Sequence, residues 1–330
     1  MKNYRWLLLL GAVLIAGVVL WRLRATSRHD TGRRLVATLR MVGRIGTEVP
    51  QFTPRGLKIY NNALYIADYG DLSVKKYSLD GSLLASYGGK RGEGPGELRQ
   101  IVDIAVHDSN LWIVDTRARR ILRFDEVTGQ FRSAFSVADM HPLRIAQVGP
   151  YLFVMGLGPF EELFVQYDTS GRLIRRFGVV TERQAEMKIN MQGVLENMGD
   201  TALVFVPTFA GYAFVFDTTG VLRTRMPLLD TRPFPKPRTE ERAGGRIYYA
   251  SGSAVWNMNA WIDHNFLFIN TVYQKPEKQY FVDQYDLRTG HYVHSILIPS
   301  MENYLEAYWI KDKVFVLSDT SVVVYSVQPE

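Results

Sequence analysis

Five short apolar runs recur along the chain: ALYIAD (63–68), NLWIVD (110–115), YLFVMG (151–156), TALVFV (201–206) and NFLFIN (265–270). Some alternate weakly with polar residues and others are apolar throughout, as expected of strands covered on both faces. A further strand candidate precedes each run: GLKIYNN, IVDIAVHDS, LRIAQVG, GVLENMG and MNAWIDH. A hairpin signature follows each, in which a strand ends in Asp, a turn ends in Gly and a second strand begins. It reads KKYSLDGSLLASYG, ILRFDEVTGQFRSAF, FVQYDTSGRLIRRFG, FVFDTTGVLRTRM and VDQYDLRTGHYVHSIL, with glycines 81, 129, 171, 220 and 290. Aspartate at the turn start can accept bonds from the amides ahead of it, and glycine supplies a positive φ. Each unit therefore predicts four strands.

The two ends complete the pattern. The last unit, NYLEAYWIKDKVFVLSDTSVVVYSV, supplies only three strands. A fourth is available at the other end as LVATLRMVG (35–43). A ring whose last three strands pair with its first one removes the exposed sheet edges. Five full units and one shared unit predict an all-β, six-bladed β-propeller of four-stranded antiparallel blades, spanning 35–330. Successive hairpin glycines lie 48, 42, 49 and 70 residues apart. The longest interval holds a Pro-, Gly- and charge-rich insertion at 229–255, expected as a long loop, either solvated or serving as a binding element or lid.

Before the propeller lies WLLLLGAVLIAGVVLW (6–21), an uncharged segment flanked by Arg5 and Arg22 and bounded by tryptophans. Sixteen helical residues span about 24 Å, somewhat short of a hydrocarbon core, and snorkelling arginines extend the reach. It is expected to be one N-terminal transmembrane helix (anchor 1–25, basic linker 26–34). A cleaved signal peptide is the rival reading, but Arg22-Leu23-Arg24-Ala25 is a poor cleavage site. Counting flanking charges places the propeller in the cytoplasm. The short, signal-like N-terminus argues instead for export, and a single-pass protein of a bacterial inner membrane, with the propeller periplasmic or extracytoplasmic, is the expectation.

Charge sharpens this picture. The net charge of +6 and pI of about 9.3 would suit a nucleic-acid binder. Residues 1–34 alone carry seven basic groups and one acid, so the remainder of the 330-residue chain is neutral. The basic excess therefore flanks the apolar segment, and nucleic acid is not an expected partner. There is no cysteine, which excludes disulfides and thiol chemistry.

The stretch GEGPGELRQIVDIAVHDSNLWIVDTRARRILRFD resembles the NHL-repeat and related bacterial six-bladed propellers, in which a P-x-x-I-A-V-like strand precedes an L-W-V-A-D-like strand and an R-I-x-x-F strand. The likeness is good at 99–125, fair at 54–88 and weak beyond Gly171. It implies a binding or scaffold module, often extracytoplasmic, and a closed rigid ring is expected to engage a protein, peptide or glycan through loops around the channel mouth. The alternative it leaves open is a propeller hydrolase or lyase with a metal in the central channel.

Candidate chemistry is sparse. The innermost strands should place Arg55, Asp103, Arg144, Glu196 and Asn259 around the channel, where an Arg–Asp pair is expected to plug it. Arg117 and Arg119 should project from a loop. Arg55, Asp103, Arg117, Arg119, Arg144 and Asn259 are thus the candidate binding residues at the channel mouth and upper loops. The glycine-rich GGKRGEGPGE (88–97) lacks the strand–loop–helix context of a phosphate cradle and is expected as an inter-blade loop. Asp68, Asp115 and Asp319 are expected to cap equivalent turns in three blades. No histidine stands beside a candidate nucleophile, and no catalytic residue, cofactor or metal ligand is assigned.

Overall fold

The computed structural model describes residues 32–47, 53–137, 139–182, 184–242, 245–249, 255–274, 277–301 and 303–329. The expected transmembrane helix at 6–21 lies outside them. Among the described residues no helix is long and apolar enough to cross a membrane.

The strand order follows the apolar pattern. β1 (Ala37–Ile45) precedes blade one, which comprises β2 (Pro54–Tyr60), β3 (Ala63–Asp68), β4 (Ser73–Ser78) and β5 (Leu83–Gly88). Blade two is β6 (Ile101–His107), β7 (Asn110–Asp115), β8 (Arg120–Asp125) and β9 (Phe131–Ser136). Blade three is β10 (His141–Val148), β11 (Tyr151–Leu157), β12 (Phe164–Asp168) and β13 (Leu173–Phe177). Blade four is β14 (Gly193–Met198), β15 (Ala202–Pro207), β16 (Tyr212–Asp217) and β17 (Leu222–Pro227). Within the insertion, β18 (Arg238–Arg242) and β19 (Gly245–Tyr249) pair with each other as a separate hairpin, so this segment is more than the loop its composition suggests. Blade five is β20 (Val255–Asp263), β21 (Phe266–Tyr273), β22 (Gln279–Asp286) and β23 (His291–Ile298). Blade six combines β24 (Tyr304–Ile310), β25 (Lys313–Ser318) and β26 (Val322–Pro329) with β1 as its outermost strand.

The closing pair runs antiparallel from Ala37 opposite Pro329 to Ile45 opposite Val322. This is the clasp that the three-stranded last unit requires. The innermost strands touch in ring order, and β2 packs on blade six. The second strands β3, β7 and β15 are buried along their whole length, while β5, β9, β13 and β17 are mostly exposed. Apolar content in the sequence therefore tracks position along the radius of each blade.

All five hairpin glycines have positive φ, from 73° to 100°. At Gly171 and Gly220 there is a second reason for glycine: a β-carbon would collide with Phe135 or Phe177 of the preceding blade. The turn aspartates behave as their position predicts. Asp168 accepts bonds from the Ser170 and Arg172 amides, and Asp217 from Thr219 and Val221. Hydrogen bonds from the Ser170 and Thr219 hydroxyls and from these amides hold both carboxyls at about 2.

Asp68 and Asp115 end the second strands of blades one and two and tie down the segments entering those blades. Asp68 accepts from the Thr53 and Gly70 amides and pairs with Lys75 at 2.5 Å. Fully buried Asp115 accepts from the amides of Arg99, Gln100 and Ala118. The expected third member is corrected by register. Ser318, paired with Tyr304 as Asp115 is with Ile101, occupies the equivalent position, and its hydroxyl exchanges hydrogen bonds with Ser321. Asp115→Ala should therefore destabilise the protein by about 3 kcal/mol by stranding three amides. Asp319→Ala should move the urea midpoint little. Equilibrium urea unfolding of the two variants side by side checks this contrast.

The glycine-rich segment is an inter-blade loop wrapped around one guanidinium. Arg120 donates to the carbonyls of Gly92, Glu93 and Glu97, and the Glu97 carboxylate accepts from the Gly94 amide.

Candidate functional site

The central channel is built in levels by strand register. An irregularity near the start of the innermost strand in every blade but the fourth brings Gly56, Asp103, Arg144, Asn259 and Glu306 opposite the second-strand residues Ala67, Val114, Met155, Asn270 and Leu317. Val194 opposite Val206 is their counterpart in blade four. These six residues, one per blade, line a single cavity of about 60 Å³. Two residues further along each strand, the next level contains Lys58 of blade one and Glu196 of blade four.

Lys58 Nζ forms an ion pair with Glu196 Oε1. Blades one and four are opposite in a ring of six, so this pair is a strut across the full width of the channel. The side chains are 15% and 14% exposed. Burial and the facing Lys58 act against each other on Glu196, and burial leaves its carboxyl raised. Burial works against the Lys58 ammonium, but Glu196, then Asp103, hold it raised overall. The expected Arg–Asp plug is thus replaced by a Lys–Glu pair one level deeper. Asp103 accepts instead from the Ile145 amide at 2.9 Å, and Arg144 donates to the Gly193 and Leu143 carbonyls.

Glu306 faces the same narrow cavity. Its Oε1 accepts from the Leu57 amide at 2.5 Å. Burial is the largest influence on it; Lys58 and that amide oppose it, and the carboxyl is pushed up to about 8. The Tyr308 hydroxyl donates to the Leu57 carbonyl. Asn259 is buried beside them. Lys58 and Glu306 escaped the sequence reading. Their signal was present: a single charge inside an otherwise apolar innermost strand, as in GLKIY and YLEAYWI.

The raised Glu306 carboxyl gives a signed prediction. In the fold it is protonated up to about pH 8, whereas its ordinary value is 4.5. Its stabilising contribution is complete below the unfolded value, declines as pH rises towards the folded one, and is constant above. Glu306→Gln keeps an oxygen for the Leu57 amide and removes this decline. Urea midpoints of variant and wild type should coincide near pH 4 and separate in the variant's favour from roughly pH 5 to 8.

Beyond the strut the channel widens into a cavity of about 320 Å³. All six blades contribute, from Lys58–Asn62 of blade one to Ile310 of blade six. Polar groups converge there: Asn61, Asn62, Asn197, Asp263 and the Lys58–Glu196 strut at its floor. Gln147 is already committed, accepting from Trp112 Nε1 and donating to the Gly149 carbonyl. The Trp261 ring stacks on Phe268 and lies tilted against Tyr308, with centroids 5.1 and 4.8 Å apart.

The structure therefore divides the sequence candidates. Asp103, Arg144, Asn259 and exposed Arg55 meet around the narrow cavity. Arg117 and Arg119 lie outside it, on the turn after β7 at the same end of the propeller. Arg117 is exposed, and Arg119 contacts the His141 ring at 2.9 Å.

No protein-family model matches the chain, and no curated protein matches it in sequence. Solved structures do match. A member of the DUF4221 family from Bacteroides vulgatus aligns with a TM-score of 0.59 at 8% identity, over 89% of this chain and 99% of that one. Virginiamycin B lyase from Staphylococcus aureus aligns with a TM-score of 0.55 at 10% identity, over 88% and 99%. A putative exported protein from Bacteroides fragilis gives 0.54 at 10%, over 92% and 98%. What this chain shares with all three is the β-propeller fold.

Proposed function

We propose that this protein is a binding module of the NHL-like kind, tethered by residues 6–21 to a bacterial inner membrane with its propeller on the outer side. Its ligand is a peptide or glycan segment held by hydrogen bonds in the wide end of the channel. One observation carries this reading: a cavity of about 320 Å³ into which all six blades project, where amide and carboxylate side chains stand among aliphatic ones. A rigid ring that presents convergent polar groups suits recognition of an extended polar chain end. The narrow end, at about 60 Å³, has room for water rather than for such a ligand.

Peptide and glycan arrays probed with the full-length protein test this. A binder whose affinity falls about tenfold or more in Asn61→Ala supports the reading. Arrays without a hit, or a hit indifferent to that substitution, overturn it. The side of the membrane is tested separately by protease accessibility of the C-terminus in intact spheroplasts.

The alternative reading is a hydrolase or lyase. Glu306, held protonated near neutral pH, is the channel group best suited to donate a proton. The small volume around it weighs against a substrate reaching it.

A further inference from the structure

At the rim of the wide cavity, two non-adjacent blades converge on one imidazole. His107 ends β6 in blade two, and the turn after it carries Asp108. Asp200 sits in the turn between β14 and β15 of blade four. His107 Nε2 lies 2.7 Å from Asp200 Oδ1 and 3.6 Å from Asp108 Oδ2. All three donor atoms fall within 4.8 Å of one another, the one such cluster among the described residues. The ring is well covered, with 12% of its side chain exposed, and both carboxylates are open to solvent.

The other ring nitrogen is also held. Asn197 of blade four lies with its amide nitrogen 3.1 Å from His107 Nδ1. Turning that amide over would present its oxygen to an Nδ1–H and leave the Nε2 lone pair facing the two carboxylates. A fixed tautomer of this kind is what metal-ligating histidines commonly have. Tyr60 packs edge-on against the ring, with centroids 6.3 Å apart, and its hydroxyl accepts from the Asp108 amide at 3.3 Å. Both Tyr60 and Asn197 line the wide cavity.

We propose that His107, Asp108 and Asp200 form a divalent-cation site of the zinc class at the mouth of the wide cavity, held jointly by blades two and four. Donors about 2.1 Å from a tetrahedral ion lie roughly 3.4 Å apart. The two separations from His107 Nε2, 2.7 and 3.6 Å, bracket this value. One imidazole and two carboxylates suit zinc or manganese over calcium, which prefers oxygen alone. Three protein ligands leave one position for water or an oxygen of a bound molecule. The assignment rests on the rim geometry and does not depend on what the cavity binds.

Titration of zinc into the metal-stripped full-length protein, followed by calorimetry, tests it. One saturable site per chain is expected. His107→Ala should weaken it at least 100-fold, and Asn197→Ala by roughly tenfold. Asp200→Asn, a near-isosteric change on an exposed turn, keeps the fold and should also weaken binding. His264→Ala should change nothing, because exposed His264 sits on an open turn against its neighbour Asp263, away from this cluster. Absence of a saturable site, an unchanged site in His107→Ala, or tighter binding of calcium than of zinc overturns the assignment.

Discussion

Lys58→Met is expected to destabilise the protein by about 3 kcal/mol, the largest loss from any single channel substitution. The change removes the cation from the strut and leaves the mostly buried Glu196 carboxylate without its partner. Two charges taken out of water together offset each other; one left alone does not. The same reasoning predicts recovery in the double variant Lys58→Met, Glu196→Met, which replaces the pair with thioethers that pack across the gap. Chemical denaturation of the single variants and the double variant forms a closed cycle. The double variant should match or exceed wild type while each single falls well below it. Additive losses in the double variant would show that the strut is not a coupled pair.

Deletion of Ala37–Ile45 is expected to abolish the monomeric fold. Without β1, the β26 edge from Val322 to Pro329 is left with unpaired amides and carbonyls. Such an edge is a template for another chain. Light scattering after size-exclusion chromatography should show association of the deleted protein, with its cooperative melting transition lost. A deleted chain that stays monomeric and melts like wild type would mean that the fourth strand of blade six is dispensable.

Most of the architecture was legible because each blade repeats a local grammar. Asp-to-Gly turns mark every outer hairpin, and buried runs such as NLWIVD mark every second strand. The count of six followed from five full units plus the three-strand tail that shares LVATLRMVG. Equivalence between blades was legible only to within a residue: Asp319 resembles Asp68 and Asp115 by eye, but strand pairing assigns their place to Ser318. The channel was partly legible. Asp103, Arg144 and Asn259 were found because they stand where innermost strands begin. Lys58 and Glu306 were missed because their significance depends on which level of the ring each strand occupies, and small register irregularities decide that. His107 and Asp200 are 93 residues apart, so no motif spacing could unite them.

The clasp also fixes when the molecule can become whole. Its partners stand at opposite ends of the propeller in chain order, so during synthesis β1 emerges first and must wait, unpaired, until β26 has been made. The most non-local contact is the final one, and contacts of that kind are slow to form. Completion of the ring then becomes an all-or-nothing event timed by the synthesis of β26, and a product terminated before that strand would carry a permanently open seam by which quality-control proteases could recognise it.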